Sequence, residues 1–186
     1  GKEYGSRGRY RIVNNTFIIP ADADYLSGRD GWVPVTVLGT WASPSVRAVI
    51  KNNIFYRGGA SATGSSLFQI SAESLANTEI DYNSWGGTNV AWLVGASYRT
   101  SYTDFRSLVQ ATAGRGNETH SINVDPQFVQ PFSNLQLQST SPARQTGTDL
   151  SSVGWAPSSY DHDCDLSSVS PCTPRPAGRW SMGAYQ

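Results

Sequence analysis

Glu79 and Asp81 are the residues of this chain best spaced to do chemistry. They stand two apart in Asn77-Thr78-Glu79-Ile80-Asp81-Tyr82-Asn83. In a strand, that spacing puts both carboxylates on one face and Ile80 on the other. Paired carboxylates are what glycoside hydrolysis requires. Elimination from a uronate needs a base, with charge neutralised by Ca²⁺ or arginine. Arg47 and Lys51 lie on an earlier copy of the same pattern and are the candidate cations. The four residues form the candidate catalytic set. Against this stands a ladder of surface ion pairs, worth little to stability. That structural reading is favoured.

A second group sits in a polar, aromatic insertion: Asp22, Asp24, Arg29, Asp30 and Trp32. With Trp41, these are the candidate ligand-contact residues, since aromatic faces and acids can grip a sugar. Trp85 and Tyr56 offer further aromatic faces, with core packing as the alternative. Asp22, Asp24 and Asp30 do not have EF-hand spacing, so Ca²⁺ is a weak option. His162 lies between Asp161 and Asp163, and one histidine with two aspartates is thin grounds for a metal. His120 adds little by itself. No metal site and no cofactor are assigned. Nucleophile-elbow, phosphate-loop, zincin and dinucleotide motifs are missing from the sequence.

Charge narrows the options further. The chain has 186 residues, with 14 Lys and Arg against 14 Asp and Glu, and only 15% charged residues. Nucleic-acid binding needs clustered positive charge, which a zero net balance does not supply. No run of 18 apolar residues spans a membrane. Low charge, nine Tyr, six Trp and many small polar residues suggest an exported, strand-rich protein. Cys164 and Cys172 are eight apart in a Ser/Pro loop. A disulfide between them would close a small ring worth roughly 2–3 kcal/mol and would fit an oxidising compartment. Thiolate metal sites want closer spacing and more ligands.

The elements that must position these residues repeat. A short apolar strand runs into asparagine and then into an aromatic or β-branched strand. The copies are Tyr10 to Ile19, Val46 to Tyr56 and Asn77 to Trp85. The second asparagine falls at 15, 53 and 83, spaced by 38 and 30 residues. Asparagine tolerates the left-handed bend that joins two strands, and stacked asparagines can bond to one another. Strands at 33–38 and 67–70, and a weak one at 89–94, complete each repeat. Irregular spacing suits a solenoid with loop insertions. Beyond residue 101, Tyr102 to Thr112 is a short helix candidate, with Phe105, Leu108 and Val109 on one face. Two glycosylation sequons occur, at Asn14 and Asn117.

The tail carries a resemblance. His120-Ser121-Ile122-Asn123-Val124-Asp125-Pro126-Gln127-Phe128 is followed by Leu135-Gln136-Leu137, by Ser141-Pro142-Ala143, and by Arg175-Pro176. The close is Gly183-Ala184-Tyr185. In this order they resemble the C-terminal module of bacterial right-handed parallel β-helix proteins, the pectate-lyase-like superfamily. The chain departs from that pattern at the Cys164–Cys172 insertion and in having no acid beside the final Gly-Ala-Tyr.

The resemblance implies an all-β right-handed parallel β-helix of about three coils, with one short helix and a C-terminal cap. Residues 1–100 would be coils and 101–186 the final strands and cap with its disulfide loop. The implied function is a capping segment of a secreted or surface protein, structural or carbohydrate-contacting. Its alternative is part of a polysaccharide lyase or glycoside hydrolase acting on acidic polysaccharide. Whether the protein is an enzyme stays open at this stage. Upstream β-helix coils would be its partners, with polysaccharide as a further one.

Overall fold

The computed structural model describes residues 9–19, 35–37, 47–58, 66–87, 90–113, 117–150 and 180–183. The first strands are β1 (Arg9–Val13), β2 (Thr16–Ile19) and β3 (Val35–Val37). Next come β4 (Arg47–Lys51), β5 (Ile54–Arg57), β6 (Phe68–Ile70) and the single-turn helix α1 (Ala72–Leu75). Strands β7 (Glu79–Asp81), β8 (Ser84–Gly87), β9 (Trp92–Val94) and β10 (Ser97–Arg99) follow. Helix α2 (Tyr102–Ala113), then β11 (Phe128–Gln130) and β12 (Asn134–Leu137), complete the set.

These strands form four small sheets. Two are three-stranded, β1-β4-β7 and β2-β5-β8, and every pairing in them is parallel. A third sheet runs β10-β9-β6-β3, with β10 antiparallel at its edge. The fourth is the antiparallel pair β11-β12. Equivalent residues of the sequence copies therefore lie side by side: Phe17 beside Phe55 beside Trp85, and Ile12 beside Ile50 beside Ile80.

The asparagine repeat does two jobs, on consecutive residues. Asn14, Asn52 and Tyr82 each take a left-handed backbone, with φ of 58°, 57° and 56°. They make the bend between paired strands. The next residue carries the ladder. Asn15 donates its backbone N–H and its Nδ2 to Asn53 Oδ1, and Asn53 does the same to Asn83 Oδ1. The last rung is not asparagine: the Asn83 N–H donates to Ser121 Oγ at 2.9 Å. An asparagine side chain can accept and donate at once, so each rung binds the strand turns on both sides of it.

The sheets are two-faced. One core gathers Ile50, Ile80, Leu67, Phe68, Trp92, Phe105 and Val109 around the ring stack Phe17–Phe55–Trp85. Centroid distances in that stack are 5.0 and 4.3 Å. Helix α2 contributes Phe105 and Val109, whose spacing places them on one face. A smaller cluster of Ile54, Phe128, Leu137, Ala143 and Met182 covers the opposite face of β5. Alternation along β5 explains this, since Ile54 and Phe55 point to opposite sides.

The expected fold class is corrected. An all-β right-handed parallel β-helix of about three coils was implied; the finding is a mixed α/β domain. Among the described residues the four sheets are small, none closes or curls, and two helices and two antiparallel pairs accompany them. The repeat reported local strand–turn–strand units and their parallel pairing, which are present. Nothing in such a unit dictates closure. At Gly95, with φ of 60°, the chain turns back as β10 against β9. The implied C-terminal cap of a solenoid and the upstream coils go with that architecture and are corrected with it. The helix expected over Tyr102 to Thr112 is present as α2. The short α1, capped by Ser71 Oγ accepting from the Ser74 N–H, was not read from the sequence.

Candidate functional site

The polar groups of the described residues converge where β7 meets the segment 117–123. That segment runs along the outer edges of β7 and β8 as a pseudo-strand. The Glu118 N–H donates to the Ile80 carbonyl at 2.7 Å, and the Ile122 N–H to the Asn83 carbonyl at 2.8 Å. The Trp85 N–H donates to the Ile122 carbonyl at 2.8 Å. Asn117 Oδ1 accepts from the Ile80 N–H, and Asn117 Nδ2 donates to the Thr78 carbonyl. Both ends of that buried amide are committed, so the Asn117 sequon sits in a folded, inaccessible position.

Asp81 and His120 form the surface half of the site. Asp81 Oδ1 accepts from the Tyr82 N–H at 2.9 Å and the His120 N–H at 2.7 Å. Asp81 Oδ2 lies 2.8 Å from His120 Nδ1. Opposite a carboxylate, Nδ1 is the nitrogen that donates, and Nε2 is the one left for another partner. The imidazole lies flat on the Tyr82 ring, at 4.4 Å and 4° between planes. The His120 side chain is half exposed and that of Asp81 largely buried. On the same face, Lys51 Nζ donates to Glu79 Oε2 at 3.1 Å.

Glu118 is the buried half. Its side chain has no exposure, yet three donors reach it. Trp85 Nε1 donates to Oε2 at 3.1 Å, the Tyr102 hydroxyl to Oε2 at 2.9 Å and Ser121 Oγ to Oε1 at 3.0 Å. Burial pushes its carboxyl up to about 8. The bonds from Tyr102, Ser121 and Trp85 pull the other way, and the nearby Asp81 charge adds to the rise. Burial, and then Glu118, raise the Tyr102 phenol. Glu118 also has a left-handed backbone, φ 56°, which aims its side chain back under the segment.

The structure brings Lys51, Glu79 and Asp81 onto one face, as the period-two reading required. The side chain of Arg47, the fourth member of the candidate catalytic set, lies outside the described residues. Arg47 stands four positions from Lys51 along β4, in register with Arg9. Glu79 is taken by Lys51 and Asp81 by His120, so no lyase geometry forms and that reading is corrected. Asp22, Asp24, Arg29, Asp30, Trp32 and Trp41 lie outside the described residues, as do Cys164 and Cys172. Trp85 and Tyr56 are described: Trp85 is buried in the ring stack, and Tyr56 packs against Phe128 and Phe132. Among the described residues, no group of three or more His, Cys, Asp or Glu could hold a metal ion.

Sequence reasoning missed Glu118 and Tyr102 and gave His120 no role. Glu118 registered only as the middle of a sequon. Its signal was the 38-residue step from Asn83 to Ser121, equal to the first ladder step. That step marks Ser121 as the next rung of the ladder. No family model matches the chain, and no curated protein or solved structure matches it significantly. The resemblance to the pectate-lyase-like superfamily is thus corrected by the architecture and finds no support in these comparisons.

Proposed function

We propose that this chain is a non-catalytic scaffold that displays a fixed polar face, built on Lys51, Glu79, Asp81, Tyr82 and His120, to a binding partner. One observation carries the reading: each of the three carboxylates at the site is spent on the fold. Glu79 holds Lys51, Asp81 holds two backbone N–H groups and His120, and Glu118 is sealed under three donors. A general acid or base must reach a substrate atom. His120 Nε2 is the ring nitrogen that Asp81 leaves unused at this site.

His120→Ala tests the reading. The purified chain is assayed against ester, phosphoester and glycoside substrates beside this variant. The expected result is background turnover that is equal in both. A rate at least tenfold above background that His120→Ala and Asp81→Asn both abolish would replace the scaffold with a catalytic dyad.

An exported location belongs to the same proposal. It rests on the low charge and on the pair Cys164 and Cys172. Among the described residues, no helix is long and apolar enough to cross a membrane. Thiol titration of the denatured, unreduced protein from an oxidising compartment should find no free thiol. Two titratable thiols per chain would remove the disulfide and with it this support for export.

A further inference from the structure

We infer that segment 117–123 is a pH-operated latch over the outer edges of β7 and β8, closed while Glu118 is neutral and loosened when it ionises.

The latch has three parts. The first is the cover itself. Residues 117–123 satisfy the Ile80, Asn83 and Trp85 backbone groups that would otherwise form open strand edges. Open edges of this kind invite pairing with other chains. The second is a shallow hold. Glu118 and Gln127 both have left-handed backbones, and the segment from Thr119 to Asp125 is largely exposed apart from Ser121 and Ile122. Its attachment depends on a few side chains instead of a broad apolar face. Such thinly held segments open at lower free energy than the core.

The third part is the pin. Glu118 is the acid of the segment that goes into the core, beside Trp85 and flanked by the buried Asn117 and Ser121. The charged and titratable groups around it come from three elements. Asp81 of β7 adds negative charge nearby. Tyr102 of α2 donates to it, and Arg106 of α2 donates to the adjacent Thr119 carbonyl at 3.3 Å. Within the segment, His120 is occupied with Asp81, and Ser121 donates to Glu118. Trp85 contributes an uncharged indole N–H. Three neutral donors are the hold on a charge with no water around it. A buried charge without a cationic partner is the most costly group to keep in place. Ionised, Glu118 gains most by swinging out to water, and it takes the segment with it.

Amide hydrogen exchange on the full chain tests the latch, with rates normalised to the intrinsic exchange at each pH. Between pH 6 and pH 9, the amides of Glu118, Ile122 and Trp85 should lose protection by tenfold or more. Those of β4 and β5 should keep theirs. Glu118→Gln keeps the shape and the acceptor and should abolish the pH dependence, while it leaves the His120–Asp81 pair in place. If Glu118→Gln does not fold, Tyr102→Phe replaces it: removing one donor to the ionised form should move the loss to higher pH. The inference is overturned by unchanged protection at 117–123, by equal loss in β4 and β5, or by a pH dependence that persists in Glu118→Gln. It is also overturned if Tyr102→Phe leaves the transition where it was.

Discussion

Replacing Glu118 with alanine should destabilise the chain by about 3 kcal/mol near pH 5 and by less at pH 9. The physical basis is the set of three donors. Alanine leaves the Trp85 N–H and Ser121 Oγ without their acceptor in a site of zero exposure, and it leaves the Tyr102 hydroxyl with only the longer bond to the Ser121 carbonyl at 3.2 Å. Each buried group left unpaired costs about 1–3 kcal/mol, less whatever relaxation recovers. At roughly 2–4 °C per kcal/mol for a chain of this size, the melting temperature should fall by about 6–12 °C.

The pH dependence follows from the raised carboxyl. Glu118 titrates near 8 in the folded chain, against an ordinary value of 4.5. Between those two values the folded state binds the proton and the unfolded state does not. Stability from this group is therefore complete below pH 4.5 and is lost as pH rises through 8. The slope reaches at most about 1.4 kcal/mol per pH unit. Wild-type protein should unfold more readily in urea at pH 8 than at pH 5. Glu118→Gln should remove most of that difference, because the amide still accepts from Trp85 and Tyr102 and can donate to Ser121. Parallel urea midpoints for wild type and Glu118→Gln across pH 5–8 would mean that Glu118 stays ionised in the fold.

Asn53→Ala should cost about 2–4 kcal/mol, while Asn15→Ala should cost about 1 kcal/mol or less. The two residues look alike in sequence and occupy the same ladder, but their surroundings differ. Asn53 is fully buried. Its side chain accepts from the Asn15 N–H and Nδ2, and donates to the Ile12 carbonyl and to Asn83. Alanine cuts the connection between three strand turns at once and leaves partners that water cannot fully reach. Asn15 is exposed at the outermost described rung, where water replaces what alanine removes. Urea unfolding of both variants under one set of conditions decides the matter. Costs within 0.5 kcal/mol of each other (about the scatter of additive sites) would show that the ladder is decorative, with packing of Phe17, Phe55 and Trp85 setting the strand register.

The candidate site shows how far local pattern reaches. Glu79 and Asp81 on one face, with Ile80 inward, follow from the geometry of any strand, and the structure places them so. The pairing of Lys51 with Glu79 needed one more fact, the parallel register of β4 against β7. His120 and Glu118 needed the most. They lie 39 and 37 residues from Asp81 in sequence, on a segment with no strand pattern of its own. Only its docking on β7 and β8 makes one a partner of Asp81 and the other a buried acid.

The sequence by itself determined the repeated units: asparagine at the left-handed bend in two copies, with Tyr82 there in the third, asparagine next where a side chain must bridge neighbours, and an aromatic residue two places further on. Those are consequences of backbone sterics, hydrogen-bonding capacity and strand alternation, which act over a few residues. Tertiary structure alone decided how many strands each sheet holds among the described residues, that β10 turns back antiparallel, and that α1 forms between β6 and β7. The physical reason is that closure or termination of a sheet depends on what covers its edge, and the covering segment comes from far along the chain. The same dependence turned Glu118, an ordinary acid in the sequence, into a buried one whose proton is tied to how firmly that edge is covered.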